Sequence, residues 1–194
     1  ILDGNIGNPS DSTDNSRNVL HILTAERKKV VLNGLKIQNG FHSLPSPDGM
    51  LSGGGGIRII QSIVDVDSCT FFNNNTEFAG GALYSRFSQL KLSRSIFASN
   101  RSGEKGGAVY LETQHTTPII ENCLFSQNKA RVMGGALFLD ASTDVFNCLF
   151  VKNETSDFAS SSFSGGGGIY NNNNGSNTKI VNCTFYKNNT NTGF

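Results

Sequence analysis

Side chains able to do chemistry are sparse in this chain of 194 residues, of which 16% are charged. Asp65 and Asp67 make the best carboxylate pair, on the strand face opposite Val64 and Val66. Two carboxyls held about 6.5–9.5 Å apart suit inverting glycoside hydrolysis. A calcium-dependent lyase would want such a pair with a basic residue as proton abstractor and more acidic ligands nearby. The positions aligned with the pair further along the chain are Lys91 and Ser93, then Ile119 and Glu121, a poor acidic cluster. Solvated strand charges account for it. His21, His42 and His115 share no common spacing and read as ordinary surface groups rather than bases or ligands. Asp3, Asp11 and Asp14 could share a calcium ion, but their spacing matches no EF-hand loop. No catalytic residue, metal ligand or cofactor is assigned.

Cys69, Cys123, Cys148 and Cys183 each lie two residues before a phenylalanine, and Ser95 takes that place before Phe97. Zinc sites place cysteines in closely spaced pairs, which this chain lacks. Residues two apart in a strand share a face, so the thiols are expected to point inward as four free, buried groups. Six Asn-x-Ser/Thr sequons, at Asn74, Asn100, Asn153, Asn174, Asn182 and Asn188, arise readily in so asparagine-rich a chain.

The elements that must position these residues come from an internal repeat. Phe-x-x-Asn recurs at Phe71/Asn74, Phe97/Asn100, Phe125/Asn128, Phe150/Asn153 and Phe185/Asn188, with successive Phe residues 26, 28, 25 and 35 apart. A glycine pair keeps step at Gly54-Gly55, Gly80-Gly81, Gly106-Gly107, Gly134-Gly135 and Gly166-Gly167. Within each unit the aliphatic residues alternate, as in Val109 and Leu111 or Val64 and Val66. Period two means strands, and no window offers ten residues of helical periodicity. The expected fold is all-β: a right-handed single-stranded parallel β-helix, a solenoid of about 5–7 coils of 25–28 residues with loop insertions. The glycine pairs should turn corners or let coils approach closely, the Phe residues should stack internally, and each repeat Asn should close a tight turn. Residues 1–194 read as one β-helix segment cut from a longer chain, with 41–53, 154–165 and 171–177 as inserted loops.

One row stands apart. Tyr84, Tyr110, Phe138 and Tyr170 follow the inward aliphatic position of four successive coils and are expected to point outward as an exposed aromatic ladder, with Arg58 at its first-coil end. Exposed aromatics suggest a contact surface for a sugar or protein, and ring-on-ring stacking alone would also explain them. These four are the candidate binding residues.

Net charge is +1, which argues against nucleic acid as partner, and no apolar run approaches the ~18 residues needed to insert this segment in a membrane. The units "GGAL…FASN", "GGAV…FSQN" and "GGAL…FVKN" resemble the repeats of polymorphic outer membrane proteins. The opening "ILDGNIGNPSDSTDNSRNVLHI" with "LNGLKIQNG" is similar to the start of right-handed β-helix surface proteins of Bacteroidetes-type bacteria. Gly56 and Gly168 stand where the repeat has Ala. The resemblance implies a right-handed parallel β-helix in an extracellular or bacterial cell-surface protein, here a non-catalytic segment serving as adhesin passenger or structural stalk. Its partners would be a host or environmental glycan or protein, or secretion and surface-anchoring machinery. The alternative is a carbohydrate-active β-helix, a lyase or hydrolase. The Asn-Thr-Asp, Asp-Asp, Gly-His-Gly and Arg-Ile-Lys of pectin-hydrolysing β-helices do not occur.

Overall fold

The computed structural model describes residues 1–5, 18–23, 28–43, 52–113, 116–156, 165–172 and 177–190. The chain winds into a right-handed parallel β-helix, and each coil adds one short strand to each of four parallel sheets. Sheet I holds Leu20–Leu23, Ile57–Ile60, Leu83–Arg86, Val109–Glu112, Leu137–Asp140 and Ile169–Asn171. Sheet II holds Lys29–Asn33, Ile63–Asp67, Gln89–Ser93, Ile119–Glu121, Asp144–Phe146 and Lys179–Val181. Sheet III holds Leu2–Asp3, Lys36–Gln38, Thr70–Phe72, Ile96–Ala98, Leu124–Ser126, Leu149–Val151 and Thr184–Tyr186. Sheet IV holds the two-residue strands Phe41–His42, Asn75–Thr76, Arg101–Ser102, Lys129–Ala130, Glu154–Thr155 and Asn189–Thr190. Parts of the three ranges expected to be loops are therefore strand: Phe41–His42, Glu154–Thr155 and Asn171 belong to the coils, and the interruptions are shorter than their composition suggests.

The strands are short because a residue with positive φ ends most of them. Between sheets II and III the turn residue is Gly34, Ser68, Arg94, Asn122, Asn147 or Asn182, and between sheets III and IV it is Asn39, Asn73, Ser99, Gln127, Lys152 or Lys187. The two glycines of each pair divide the work at the corner into sheet I. The first takes the left-handed conformation, with φ of 65° at Gly80 and 63° at Gly106. The second sits where coils nearly touch: a Cβ on Gly107 would lie 2.1 Å from the Gly135 carbonyl oxygen.

Stacked coils in register place like side chains in columns. Phe71, Phe97, Phe125, Phe150 and Phe185 form the interior stack with centroids 4.6–4.9 Å apart. Burying each of the first four rings contributes on the order of 2–3 kcal/mol, while Phe185 at the end is 49% exposed. Leu83, Val109 and Leu137 make a second column, and Val66, Leu92, Ile120 and Val145 a third.

The repeat asparagines are not the turn residues. The left-handed residue is the one before, and Asn74, Asn100, Asn128 and Asn153 point into the solenoid, fully buried. The amide oxygens of Asn100, Asn128 and Asn153 each accept both the backbone N–H and the Nδ2–H of the Asn one coil earlier, at 2.9–3.1 Å, and Asn74 Oδ1 accepts from Gly40 N–H at 3.0 Å. Each Nδ2 also donates to the preceding coil, as Asn128 does to the Phe97 carbonyl at 2.9 Å. A buried peptide group that the turn takes out of the sheet ladder is satisfied this way.

The cysteine column obeys the same logic. Cys123 N–H donates to Cys148 Sγ at 3.4 Å, Cys148 N–H to Cys183 Sγ at 3.5 Å, and Cys69 N–H to Ser95 Oγ at 3.0 Å. Ser95 thus replaces a cysteine without losing the acceptor. All four thiols are free, and Cys69, Cys123 and Cys148 are buried. The neighbouring Cys123 thiol, and then burial, push Cys148 well above the usual thiol range.

Candidate functional site

A solenoid shows its chemistry on the outward faces of its sheets, and the four faces differ. On sheet II each acidic side chain has a cation within ion-pair reach, though Asp144 Oδ1 is buried with no hydrogen-bond partner among the described residues. Asp65 meets Lys29 at 2.5 Å, Glu121 meets Lys91 at 2.9 Å and Asp144 faces Lys179 at 3.8 Å. Asp67 accepts from the Ser93 hydroxyl at 2.8 Å and pairs with Arg94 at 2.6 Å, and that hydroxyl first, then the guanidinium, holds its carboxyl below the usual carboxylate range. Asp67 is therefore a poor proton donor at neutral pH, since a general acid needs its pKa raised.

The other residues singled out from the sequence are dispersed. His42 is buried against Ser52, with Nε2 2.5 Å from the hydroxyl. His21 heads the outward column of sheet I beside Arg58, and burial, then Arg58, lower its pKa. Asp3 accepts hydrogen bonds from Asn5 N–H, Gln38 and Asn39. Asp11, Asp14, His115 and Asn174 lie outside the described residues. Among the described residues no group of three or more His, Cys, Asp or Glu side chains is placed to hold a metal ion. Asn74, Asn100 and Asn153 are sequon positions whose side chains are committed to the buried ladder, while Asn182 is an exposed turn residue and not part of a strand.

The expected aromatic ladder exists but is not exposed. Tyr84, Tyr110, Phe138 and Tyr170 do stack outside sheet I, with centroids 5.2–5.5 Å apart and planes within 4°. Arg58 lies over the Tyr84 ring at 5.3 Å, as its place at the first-coil end implies. Tyr84 is nonetheless 0% exposed, Tyr110 2% and Phe138 1%; Tyr170 is half-buried. The cause lies in the glycine corners. The chain entering each corner folds over the outward face of sheet I, so Ala79 and Met133 pack on the rings and Lys105 sits 5.0 Å above Phe138. Lys105, Met133 and Gly165 form a parallel column of their own. The ladder is a second small core between sheet and corner, and its first three rings offer a ligand no open face.

Exposed apolar side chains also occur singly or at the ends, as at Leu23, Val31 and Val181, but among the described residues the run that continues over five coils is on sheet III. Two outward rows flank the Phe stack over five coils: Thr70, Ile96, Leu124, Leu149 and Thr184 before each Phe, and Phe72, Ala98, Ser126, Val151 and Tyr186 after it. Ile96 and Phe72 are each 42% exposed, Leu149 39% and Tyr186 52%, and none of the ten side chains is charged. Sheet IV shows Arg101, Lys129 and Glu154 on its outward side, and sheet I adds Arg86, Glu112 and Asp140. The turn residues that border sheet III make a polar rim: Ser68, Arg94, Asn122 and Asn147 on one side, Asn73, Ser99, Gln127 and Lys152 on the other. An apolar centre inside a polar rim is the anatomy of a protein contact surface. Sequence reading passes over it because attention goes to the buried Phe. The available signal was the strands themselves: TFF, IFA, LFS, LFV and TFY are uncharged on both faces, where a solvated strand would alternate apolar with polar.

A family model described as "Right handed beta helix region" matches residues 13–185. No match was found among curated proteins or among solved structures.

Proposed function

We propose that this chain, which belongs to the right handed beta helix region family, is a non-catalytic contact and spacing module, a stalk or adhesive passenger that meets a protein partner through the outward face of sheet III. The observation that carries the reading is the uncharged face of ten side chains over five coils, on a solenoid whose sheet II carboxylates are all paired. Ile96, Leu124, Leu149 and Val151 present no hydrogen-bonding groups, so the face suits an apolar protein surface better than the hydroxyls of a sugar. The stacked coils supply rigidity along the rod, because every strand but the end ones of each sheet is bonded to the coil above and below. An extracellular or bacterial cell-surface setting is part of the proposal and rests on the likeness of the Gly-Gly and Phe-x-x-Asn units to surface-protein repeats.

The test puts one preparation through a polysaccharide-degradation screen and a cell-adherence assay with chain-coated beads. The expected result is no release of unsaturated or reducing ends, and bead retention that falls about tenfold or more in Leu124→Lys, where a charge replaces a central apolar contact. Lys91→Ala, on sheet II, is expected to leave retention unchanged. Sugar ends released at a rate that tracks the protein would overturn the reading in favour of a carbohydrate-active enzyme.

A further inference from the structure

The residues on the two outward rows of sheet III differ in size in a coil-by-coil pattern, and the pattern fits a copy of itself. Coils are paired as Thr70 with Phe72, Ile96 with Ala98, Leu124 with Ser126, Leu149 with Val151, and Thr184 with Tyr186. In four of the five coils a large side chain on one row has a much smaller one on the other, and Leu149 with Val151 is the near-equal pair. We propose that the partner of this face is a second copy of the chain, packed sheet III against sheet III with the two solenoids parallel and in register. This deepens the contact-module reading and rests on it.

A two-fold axis parallel to the solenoid and lying over the Phe column sets the first row of one copy against the second row of the other, coil for coil. Ile96 then meets the partner's Ala98, Leu124 the partner's Ser126, Thr70 the partner's Phe72 and Thr184 the partner's Tyr186, so in four of the five coils bulk is set against a smaller side chain, while Leu149 meets the partner's Val151. The antiparallel alternative, centred on the middle coil, sets Phe72 against the partner's Tyr186, Ile96 against the partner's Leu149 and Leu124 against the partner's Leu124, with Ser126 over the partner's Ser126 and Thr70 over the partner's Thr184. That arrangement alternates crowding and holes. A shift of one coil in the parallel arrangement turns the closed pair into an open-ended chain, so symmetry fixes the register.

The rims are compatible too. The axis brings Arg94 to the partner's Ser99, Asn122 to the partner's Gln127, Asn147 to the partner's Lys152 and Asn182 to the partner's Lys187. Hydroxyl, amide and cation face one another and no like charges meet. Five strands at about 4.8 Å spacing, by a width of about 17 Å, give roughly 400 Å² on each copy and about 800 Å² in total. That area is below the usual size of a stable interface, which makes the dimer a weak and reversible one.

Sedimentation equilibrium over a concentration series tests the proposal on the full chain. The expected result is a monomer–dimer equilibrium whose midpoint moves about tenfold or more to higher concentration in Leu124→Lys. Register is tested by mild oxidation of two single variants, Leu124→Cys and Ser126→Cys, with the disulfide located by peptide mass. A mixture of the two should cross-link through residues 124 and 126 far more than either variant alone. Equal cross-linking within each variant would overturn the parallel register. A chain that stays monomeric at all concentrations, yet loses cell adherence in Leu124→Lys, overturns the dimer and leaves the contact face standing. A monomeric chain indifferent to Leu124→Lys in both assays overturns both. Circular dichroism of each variant, unchanged from the parent, excludes misfolding as the cause of any loss.

Discussion

Gly107→Ala is expected to prevent the chain from folding, or to lower its stability by more than about 4 kcal/mol. The Cβ would lie 2.1 Å from the Gly135 oxygen, 2.5 Å from the Lys129 carbonyl carbon and 2.7 Å from the Lys129 nitrogen. All three are backbone atoms of the next coil. No rotamer change relieves the clash; only a separation of the coils does, and that breaks the ladders of the sheets beside it. Gly34→Ala makes the comparison. Gly34 has φ of +67° but nothing within 4 Å of its Cβ position, so alanine there meets only the left-handed strain of roughly 1–2 kcal/mol. Urea unfolding followed by far-UV circular dichroism reads both. A loss in Gly107→Ala no larger than that in Gly34→Ala would show that close approach does not require glycine at the second corner position.

Asn128→Ala is expected to cost about 3–5 kcal/mol in the same experiment. It removes an oxygen that accepts from Asn100 N–H and Asn100 Nδ2, each at 3.0 Å, and an Nδ2 that donates to Phe97 O and to Asn153 Oδ1, each at 2.9 Å. Asn100 Nδ2 keeps the Phe71 carbonyl, and Asn153 Oδ1 keeps the Asn128 N–H. The Asn100 N–H loses its acceptor in a place water does not reach, which costs about 1–3 kcal/mol, and the Phe97 carbonyl, which stays in the sheet III ladder, loses its side-chain donor. The neighbouring turn residue gives the opposite outcome: Gln127, exposed with φ of 54°, should accept Gly with a change within about 1 kcal/mol. If Gln127→Gly proved the more damaging substitution, the roles of the two positions would have to be exchanged.

These two positions also show what could be read from the sequence. The two markers in phase and the period-two aliphatics are sufficient for the coil, its inward Phe and its corners, because they follow from local geometry alone. Asn128 was legible as special but was placed in the turn, since asparagine tolerates the left-handed region. The physical reason it points inward instead is that the buried amide one coil earlier needs an acceptor, a demand visible only once neighbouring coils are stacked. Tyr84 shows the same limit from the other side. Alternation with Leu83 correctly places its ring outside the coil. Whether outside means solvent depends on the path of residues 77–79 and 103–105, whose fold over sheet I follows from a glycine corner too tight to carry the chain away. The face of sheet III was written plainly in strands such as LFV, but there the outward residues look like ordinary neighbours of a buried Phe.

The account turns on which face of the solenoid is open: sheet III, and not the ladder on sheet I. Its four tyrosines report this directly, since Tyr84 and Tyr110 are buried in the ladder, Tyr170 is half-buried at its end, and Tyr186 stands 52% exposed on sheet III. Burial also pushes the Tyr110 phenol far above the usual tyrosine range, so it supplies almost no phenolate for reaction. Nitration of the native chain at pH 8, with sites identified by peptide mass, should modify Tyr186 first and Tyr170 more slowly, with Tyr84 and Tyr110 reacting only after denaturation. Modification of Tyr84 and Tyr110 as fast as Tyr186 would contradict the account and return the contact surface to the aromatic ladder.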